Sequence, residues 1–349
     1  MAERTYPFNT WYAVAWDYEI AEGRLLPRRI CNKPLVFYRK KDGTAVAMDD
    51  ACWHRLAPLS KGKVVNDNVV CPYHGLVFEP GGRCVHMPSQ ETINPSACVR
   101  TYPLVDRHRL CWVWMGDPAL ADPNLIPDLH WNDDPEWAGD GTTLHLKANY
   151  LLAVDNLMDL THETFVHQGS IGNDAVAEAP FRTTHGPGTA TVTRWILNQE
   201  PPAFWGEQLG KPGPVDRWQI IHFTAPSTIA LDVGVAPAGT GAPEGDRSQG
   251  VNGYITFAIT PETETTTHYF WAANRNFDID NQSRTTIWRE GVRKIFAQDE
   301  AILESQQQAI EANPDKTFYD LNIDAGGAWA RRKVAEMIEA EQATMRRAV

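Results

Sequence analysis

The chain has 349 residues, 43% hydrophobic and 22% charged, a composition that permits one large or two ordinary cores and excludes disordered, collagen-like and coiled-coil architectures. No run approaches the roughly 18 apolar residues of a membrane span, and a net charge of −12 argues against nucleic-acid binding, which needs a basic face. The start, Met1-Ala2-Glu3-Arg4-Thr5-Tyr6-Pro7, shows no charged-then-apolar leader, so a soluble cytoplasmic protein is expected.

In chain order, residues 7–115 read as short strands and tight turns. Pro34–Tyr38 and Thr44–Met48 flank a Lys41-Asp42-Gly43 turn, a hairpin pattern. Arg109–Trp114 reads as a further strand. Residues 116–137 are rich in Pro, Asp and Trp and are expected to be a linker, which gives domains at 1–115 and 138–349. Charge supports that division: residues 1–115 carry 15 Lys+Arg and 11 Asp+Glu, net +4, and the remainder carries −16. Beyond the linker, 148–168 reads as helix. Residues 189–197, 217–236 and 253–273 read as strands of a large antiparallel sheet. Residues 281–312 and 328–345 read as long helices, and 239–252 as a mobile loop.

All six cysteines lie in the first third. In the expected reducing compartment they point to metal chemistry rather than disulfides. Cys52-Trp53-His54 is followed, sixteen residues later, by Cys71-Pro72-Tyr73-His74-Gly75. Zinc knuckles usually take a C-x2-C form. The spacing C-x-H…C-x2-H is that of a Rieske [2Fe–2S] centre, in which two cysteines hold one iron and two histidines the other. Cys31, Cys84, Cys98 and Cys111 have no paired spacing and read as small buried hydrophobes.

A second constellation lies at Asp155–His167. Asn156, Asp159 and His162 are spaced three apart and share one helix face. His167 is five residues beyond His162, about 140° round an ideal helix. The two can meet one metal only if the helix breaks, and Gln168-Gly169 offers a break. Two histidines and a carboxylate form the facial triad of non-haem Fe(II) oxygenases, with positions left open for O2. Asp159 is the nearer carboxylate, but it suits a supporting role behind a histidine. Asp299, set between Phe296 and Ile302/Leu303 on the long helix, can face inward and is the candidate third ligand.

These motifs resemble those of the oxygenase components of Rieske non-haem iron oxygenases, in particular the vanillate and dicamba O-demethylase branch. Further matching pieces are Asn9-Thr10-Trp11-Tyr12, Arg55-x-Ala57-Pro58-Leu59-Ser60, Thr260–Glu264, Asn274–Phe277, Gln298-Asp299 and Asn322–Gly326. The resemblance implies an α+β chain: an all-β Rieske domain, then a helix-grip catalytic domain with a large antiparallel sheet and long helices. It implies a homotrimer in which Asp159 links His162 to the neighbouring subunit's His74. It implies electrons from an NAD(P)H-dependent reductase (flavin and iron–sulfur) or a ferredoxin, Asp299 as the third iron ligand, and Asp159 and Asn156 as supporting catalytic residues. Ala57 and Tyr73 stand where respiratory Rieske proteins carry an extra disulfide, which implies a cluster toward the low end of the Rieske potential range.

The implied reaction is O-demethylation of a methoxybenzoate to a phenol and formaldehyde. The alternative is the same machinery performing ring or angular dioxygenation or N-dealkylation. The Asn, His and Trp that contact substrate in the dicamba-type enzyme fall on Leu231, Phe257 and Glu290, so dicamba itself is disfavoured. Arg182, Arg194, His222, His268 and Arg275 are the candidate partners for a substrate carboxylate.

Overall fold

A computed structural model describes residues 5–88 and 90–347. Met1–Arg4, part of the start read as free of a leader, lie outside these residues. The described chain falls into two units, one of residues 6–126 with 260–264, the other of Thr5, 127–259 and 265–347. The division at 126/127 falls within the Pro- and Asp-rich stretch 116–137. There Asp117 and Asp122 each accept a hydrogen bond from the amide two residues on, and the Pro that follows each opens a single 3-10 turn.

The first unit is all-β. Its strands are β1 (Trp11–Trp16), β2 (Leu26–Ile30), β3 (Lys33–Arg39), β4 (Ala45–Asp49), β5 (Lys63–Val65), β6 (Asn68–Val70), β7 (Val77–Phe78), β8 (Cys84–His86), β9 (Thr101–Tyr102), β10 (Leu104–Arg107) and β11 (Leu110–Trp114). They form three antiparallel sheets, ordered β1-β11-β10, β2-β3-β4-β9 and β5-β6-β7-β8. The β3/β4 hairpin closes where the Gly43 N–H donates to Lys40 O, with Gly43 at φ +86°. Val36, Tyr38, Met48, Leu59, Val69 and Phe78 form a core that includes Cys52 and Cys71. Residues 260–264 are built into this unit. Pro261 O and Glu262 O accept from the amides of Cys31 and Asn32, and Thr260 Oγ1 donates to Ala13 O at 2.6 Å. Cys31, Cys84 and Cys111 are buried as expected; Cys98 is exposed, contrary to its reading as a core residue.

The second unit contains β12 (Ala138–Leu146), α1 (Tyr150–Met158), α2 (Glu163–Val166), α3 (Asp174–Glu178), β13 (Phe181–Gly186), β14 (Thr189–Gln199), α4 (Ala203–Leu209), β15 (Val215–Thr224), β16 (Thr228–Pro237), β17 (Val251–Thr263, of which Thr260–Thr263 belong to the first unit), β18 (Thr266–Arg275), α5 (Gln282–Ala312) and α6 (Ala325–Arg347). The seven strands form one antiparallel sheet, ordered β12-β18-β17-β16-β15-β14-β13. Residues 217–236 and 253–273, each read as a single strand, are hairpins: Ala225-Pro226-Ser227 turns the first and Glu264-Thr265 follow β17 in the second. Asn252, read as loop, is already in β17.

Helix α5 runs 31 residues. It starts where the Asn281 side chain accepts from the Arg284 amide. Its buried positions, Thr285, Trp288, Val292, Ile295, Phe296, Asp299, Leu303 and Gln307, recur at three- and four-residue steps and form one stripe. Phe296 from this stripe packs edge-on against Trp271 and near Phe257 and Tyr269 of the sheet. Ile302, expected to face inward, is off the stripe and 51% exposed.

Candidate metal centres and active site

In the first unit, two loops share one design. Cys52 N donates to Ala57 O and Leu56 N donates back to Cys52 O; Cys71 N donates to Leu76 O and Gly75 N to Cys71 O. Each loop closes on a residue at positive φ, Leu56 at +58° and Gly75 at +72°. The paired turns bring the His54 and His74 rings to 4.7 Å between centroids, while Cys52 and Cys71 are buried behind them. Burial, with the neighbouring Cys71 sulfur, pushes the Cys52 thiol up to about 11, against the pull of backbone N–H groups from His54 and Arg55. Those N–H groups suit a thiolate, the form in which a cysteine binds metal. The donor set fits a [2Fe–2S] cluster held by Cys52, Cys71, His54 and His74.

In the second unit, the helix expected over 148–168 is interrupted. α1 ends at Met158, and Asp159 is extended at φ −131°, ψ 108°, its carboxylate accepting from the Thr161 amide. A short polar side chain of this kind competes with the helix for its own backbone. Leu160–His162 then form one 3-10 turn, α2 follows, and His167 closes it. Asn156, Asp159 and His162 therefore do not share one continuous helix face. A sharp turn after His167 brings the amides of Ser170 and Gly172 onto its carbonyl. A Cβ at Gly172 would run into the Glu163 carbonyl, so only glycine allows that approach.

The breaks bring two histidines together that an intact helix would set about 140° apart. His162 Nε2 lies 3.4 Å and His167 Nε2 3.2 Å from Asp299 Oδ1. The three ligand-type atoms all lie within 4.8 Å of one another. The remaining ring nitrogens are held elsewhere: His162 Nδ1 is 2.7 Å from the Asp159 main-chain oxygen, and His167 Nδ1 is 2.8 Å from Gln298 Oε1. Asn156 Nδ2 donates to Asp299 Oδ1 at 3.3 Å. Burial alone would raise the Asp299 carboxyl, but hydrogen bonds from His162 and His167 outweigh it and hold it at about 2. Burial would lower His162, and the same carboxylate raises it above its ordinary value. Two Nε2 atoms and one carboxylate, with both Nδ1 atoms already engaged, form a donor set that fits a mononuclear iron.

A cavity opens from this triad under the sheet. Leu231 and Val233 from β16, Ile255 and Phe257 from β17, and Trp288, Val292 and Phe296 from α5 line it, with Trp205 of α4. Leu231 and Phe257 thus lie where expected. Glu290 does not: it is outside the lining and pairs with Arg293 along the helix. Trp288, two residues earlier on the buried stripe, lines the cavity instead.

The candidate carboxylate partners are likewise elsewhere. Arg194 donates to Thr161 Oγ1 and lies 3.6 Å from Asp159, and Arg275 donates to Thr285 Oγ1 and to the carbonyls of Asp278 and Asn281. Arg182, His222 and His268 are not in the lining. The lining instead carries Arg217, which the sequence reading passed over. It is 2% exposed and pairs with Glu163 at 2.8 Å. The alternation Val215-x-Arg217-x-Gln219-x-Ile221, folded back at Ala225-Pro226, could have located it.

Two protein families match this chain: the Rieske [2Fe–2S] domain over residues 10–103 and the vanillate O-demethylase oxygenase C-terminal domain over residues 146–340. The iron–sulfur subunit of the toluene-4-sulfonate monooxygenase system of Comamonas testosteroni is 42% identical, over 95% of this chain and 97% of its own. The vanillate O-demethylase oxygenase subunit of Pseudomonas sp. strain HR199 is also 42% identical, over 97% and 96%. The chain belongs to the Rieske oxygenase family. Crystal structures of dicamba monooxygenase share the fold of this oxygenase. The complex with dicamba superposes with a TM-score of 0.87 at 35% identity, over 96% of this chain and 98% of that one, and a further structure holds non-heme iron. The α+β architecture expected from the sequence is that of the family: an all-β Rieske domain, then a catalytic domain with a large antiparallel sheet. This oxygenase uses a Rieske [2Fe–2S] cluster and a mononuclear iron, and no helix among its described residues is long and apolar enough to cross a membrane.

Proposed function

We propose that this oxygenase takes one aromatic molecule into the cavity beside His162, His167 and Asp299 and removes a methyl group from a ring ether, giving a phenol and formaldehyde. The observation that carries the reading is the position of the triad at one wall of a mostly apolar, aromatic-lined cavity. The relatives named for vanillate and dicamba O-demethylation support the ether as the group oxidised. When bound, the two centres supply electron transfer and activation of O2, with O2 as co-substrate.

The residues contribute position and shielding. His162, His167 and Asp299 are the proposed iron ligands, and Cys52, Cys71, His54 and His74 the proposed cluster ligands. Gln298 and the Asp159 carbonyl fix the imidazole planes. Asn156 steadies the Asp299 oxygen from the opposite helix. The hydrophobic walls exclude water, which limits loss of electrons to side reactions. Asp159 is the proposed link toward His74 of a neighbouring subunit.

A homotrimer in the cytoplasm, served by a separate NAD(P)H-dependent reductase or ferredoxin, is proposed with it. The +4 and −16 charge balance of the two parts, residues 1–115 and 116–349, suits such an assembly. Light scattering on the purified oxygenase tests the trimer.

The toluene-4-sulfonate relative gives specific support to a second reading, because its named substrate carries a methyl group and no ether. A panel of methoxybenzoates, toluene derivatives and N-alkyl anilides, assayed with a flavin and iron–sulfur reductase and NADH, separates the two. Formaldehyde released in step with NADH on a methoxybenzoate is the expected result. A product that keeps its methyl carbon while gaining a hydroxyl overturns demethylation and leaves the oxygenase.

A further inference from the structure

We propose that Arg217 receives an oxyanionic substituent, carboxylate or sulfonate, on the aromatic substrate, and so sets substrate class. This rests on the reading of the cavity as the substrate pocket. The cavity wall is apolar apart from the metal triad and two further residues, Glu163 and Arg217. Arg217 is the one cationic side chain other than the histidines in that lining, and it is 98% buried, at 2% exposed.

A guanidinium carries five N–H hydrogens in a planar fork. Here Nη1 donates to Ile171 O at 2.9 Å and Nη2 to Glu163 Oε2 at 2.8 Å, and Nε has no protein partner. Three hydrogens, five less the two that are engaged, have no protein acceptor. A buried guanidinium with unused donors on the wall of an apolar cavity is costly unless something accepts from it. An oxyanion on a ring seated among Leu231, Phe257 and Trp288 supplies two or three acceptors, the pairing for which a guanidinium fork is suited.

Glu163 has a separate role. Its Oε2 also accepts from Gln219 Nε2 at 2.9 Å, so two donors of β15 hold one Glu163 oxygen in place, and that oxygen fixes the plane of Arg217. It also offsets part of the guanidinium charge. The pair therefore selects by hydrogen-bond geometry more than by raw charge, and removing the Glu163 charge should strengthen anion binding.

The test is equilibrium binding to the purified oxygenase with both centres loaded, followed by quenching of tryptophan fluorescence, since Trp205 and Trp288 line the cavity. Probes are 3-methoxybenzoate, 3-methoxybenzenesulfonate and the uncharged methyl ester of the former. The acid, the sulfonate or both should bind about 10- to 100-fold more tightly than the ester, and their order identifies which oxyanion the site prefers. Arg217→Lys, which keeps a cation opposite Glu163 but loses the fork, should remove most of that preference and leave ester binding unchanged. Glu163→Gln should tighten the acid. The double variant Arg217→Met/Glu163→Gln leaves no unpaired buried charge, and it should bind acid and ester alike. Equal binding of acid and ester by the unaltered protein, or equal weakening of both by Arg217→Lys, overturns the proposal. Formaldehyde release is scored separately: an oxyanion preference without formaldehyde overturns demethylation alone, and formaldehyde without the preference overturns Arg217 alone.

Discussion

His162 Nδ1 meets the main-chain oxygen of Asp159 at 2.7 Å, and the Asp159 carboxylate instead accepts from the Thr161 amide and lies 3.6 Å from Arg194. The resemblance had implied a carboxylate behind this histidine. A backbone acceptor fixes the ring without depending on side-chain charge.

Asp159→Asn should therefore leave His162 oriented. Iron content and the visible spectrum should stay near normal, while turnover falls by orders of magnitude if the carboxylate lies on the electron route. Iron analysis beside NADH-linked product formation checks this. Near-normal turnover with both centres filled excludes Asp159 from that route.

Gln298 supports His167 with a side chain, and its amide oxygen can be removed by mutation. Gln298→Ala should weaken iron binding about 10- to 100-fold, the usual effect of losing such a partner. A ferrous-ion titration of chelator-treated protein measures it. The [2Fe–2S] spectrum should be unchanged.

The twin cluster loops should respond oppositely to glycine. Leu56 occupies the left-handed region with its side chain 74% exposed, so Leu56→Gly should be tolerated and cluster content preserved. Gly75 occupies the same region with Pro88 3.2 Å from where a Cβ would sit. Gly75→Ala should cost about 1–2 kcal/mol, seen as a lower melting temperature and less cluster per chain.

Acidity should act with opposite signs on iron-free and iron-loaded protein. In the free protein His162 is raised by Asp299, so their pairing stabilises the fold below the unfolded value near 6.5 and is lost as pH rises through the raised one. Asp299 is held at about 2, so its own contribution disappears only as pH falls from about 4 toward 2. Iron needs a neutral imidazole and must displace the proton from His162. Iron affinity should therefore rise from pH 6 to pH 8, while the melting temperature of the iron-free protein falls. Asp299→Asn should flatten the second trend. A melting temperature of the iron-free protein that rises over this interval contradicts the pairing.

Local spacing made the cluster ligands legible, since four residues within 23 positions need only two turns to converge. The convergence of His162 and His167 was legible as a condition, a break in the helix; that Asp159 starts the break was not, because its carboxylate was assigned elsewhere. Glu290 was misplaced by an alignment when the helix period was already available. Counting back from Asp299 by the helix period of about 3.6 residues falls near 295, 292, 288 and 285, all buried, and 290 lies off that stripe. Arg217 was missed for a different reason: a charged residue on an apolar strand face is visible only once the strand has been split into its hairpin.

Thr260–Glu264, at the end of β17, is part of the unit whose other residues are 6–126. An expression fragment cut after residue 126 would lose the acceptors for the Cys31 and Asn32 amides and the donor to Ala13. The electron-transfer module of this oxygenase is thus not a cassette. Chimeras that exchange it for another should carry residues 260–264 along with it, and those joined at a single point should assemble less cluster than those joined at both.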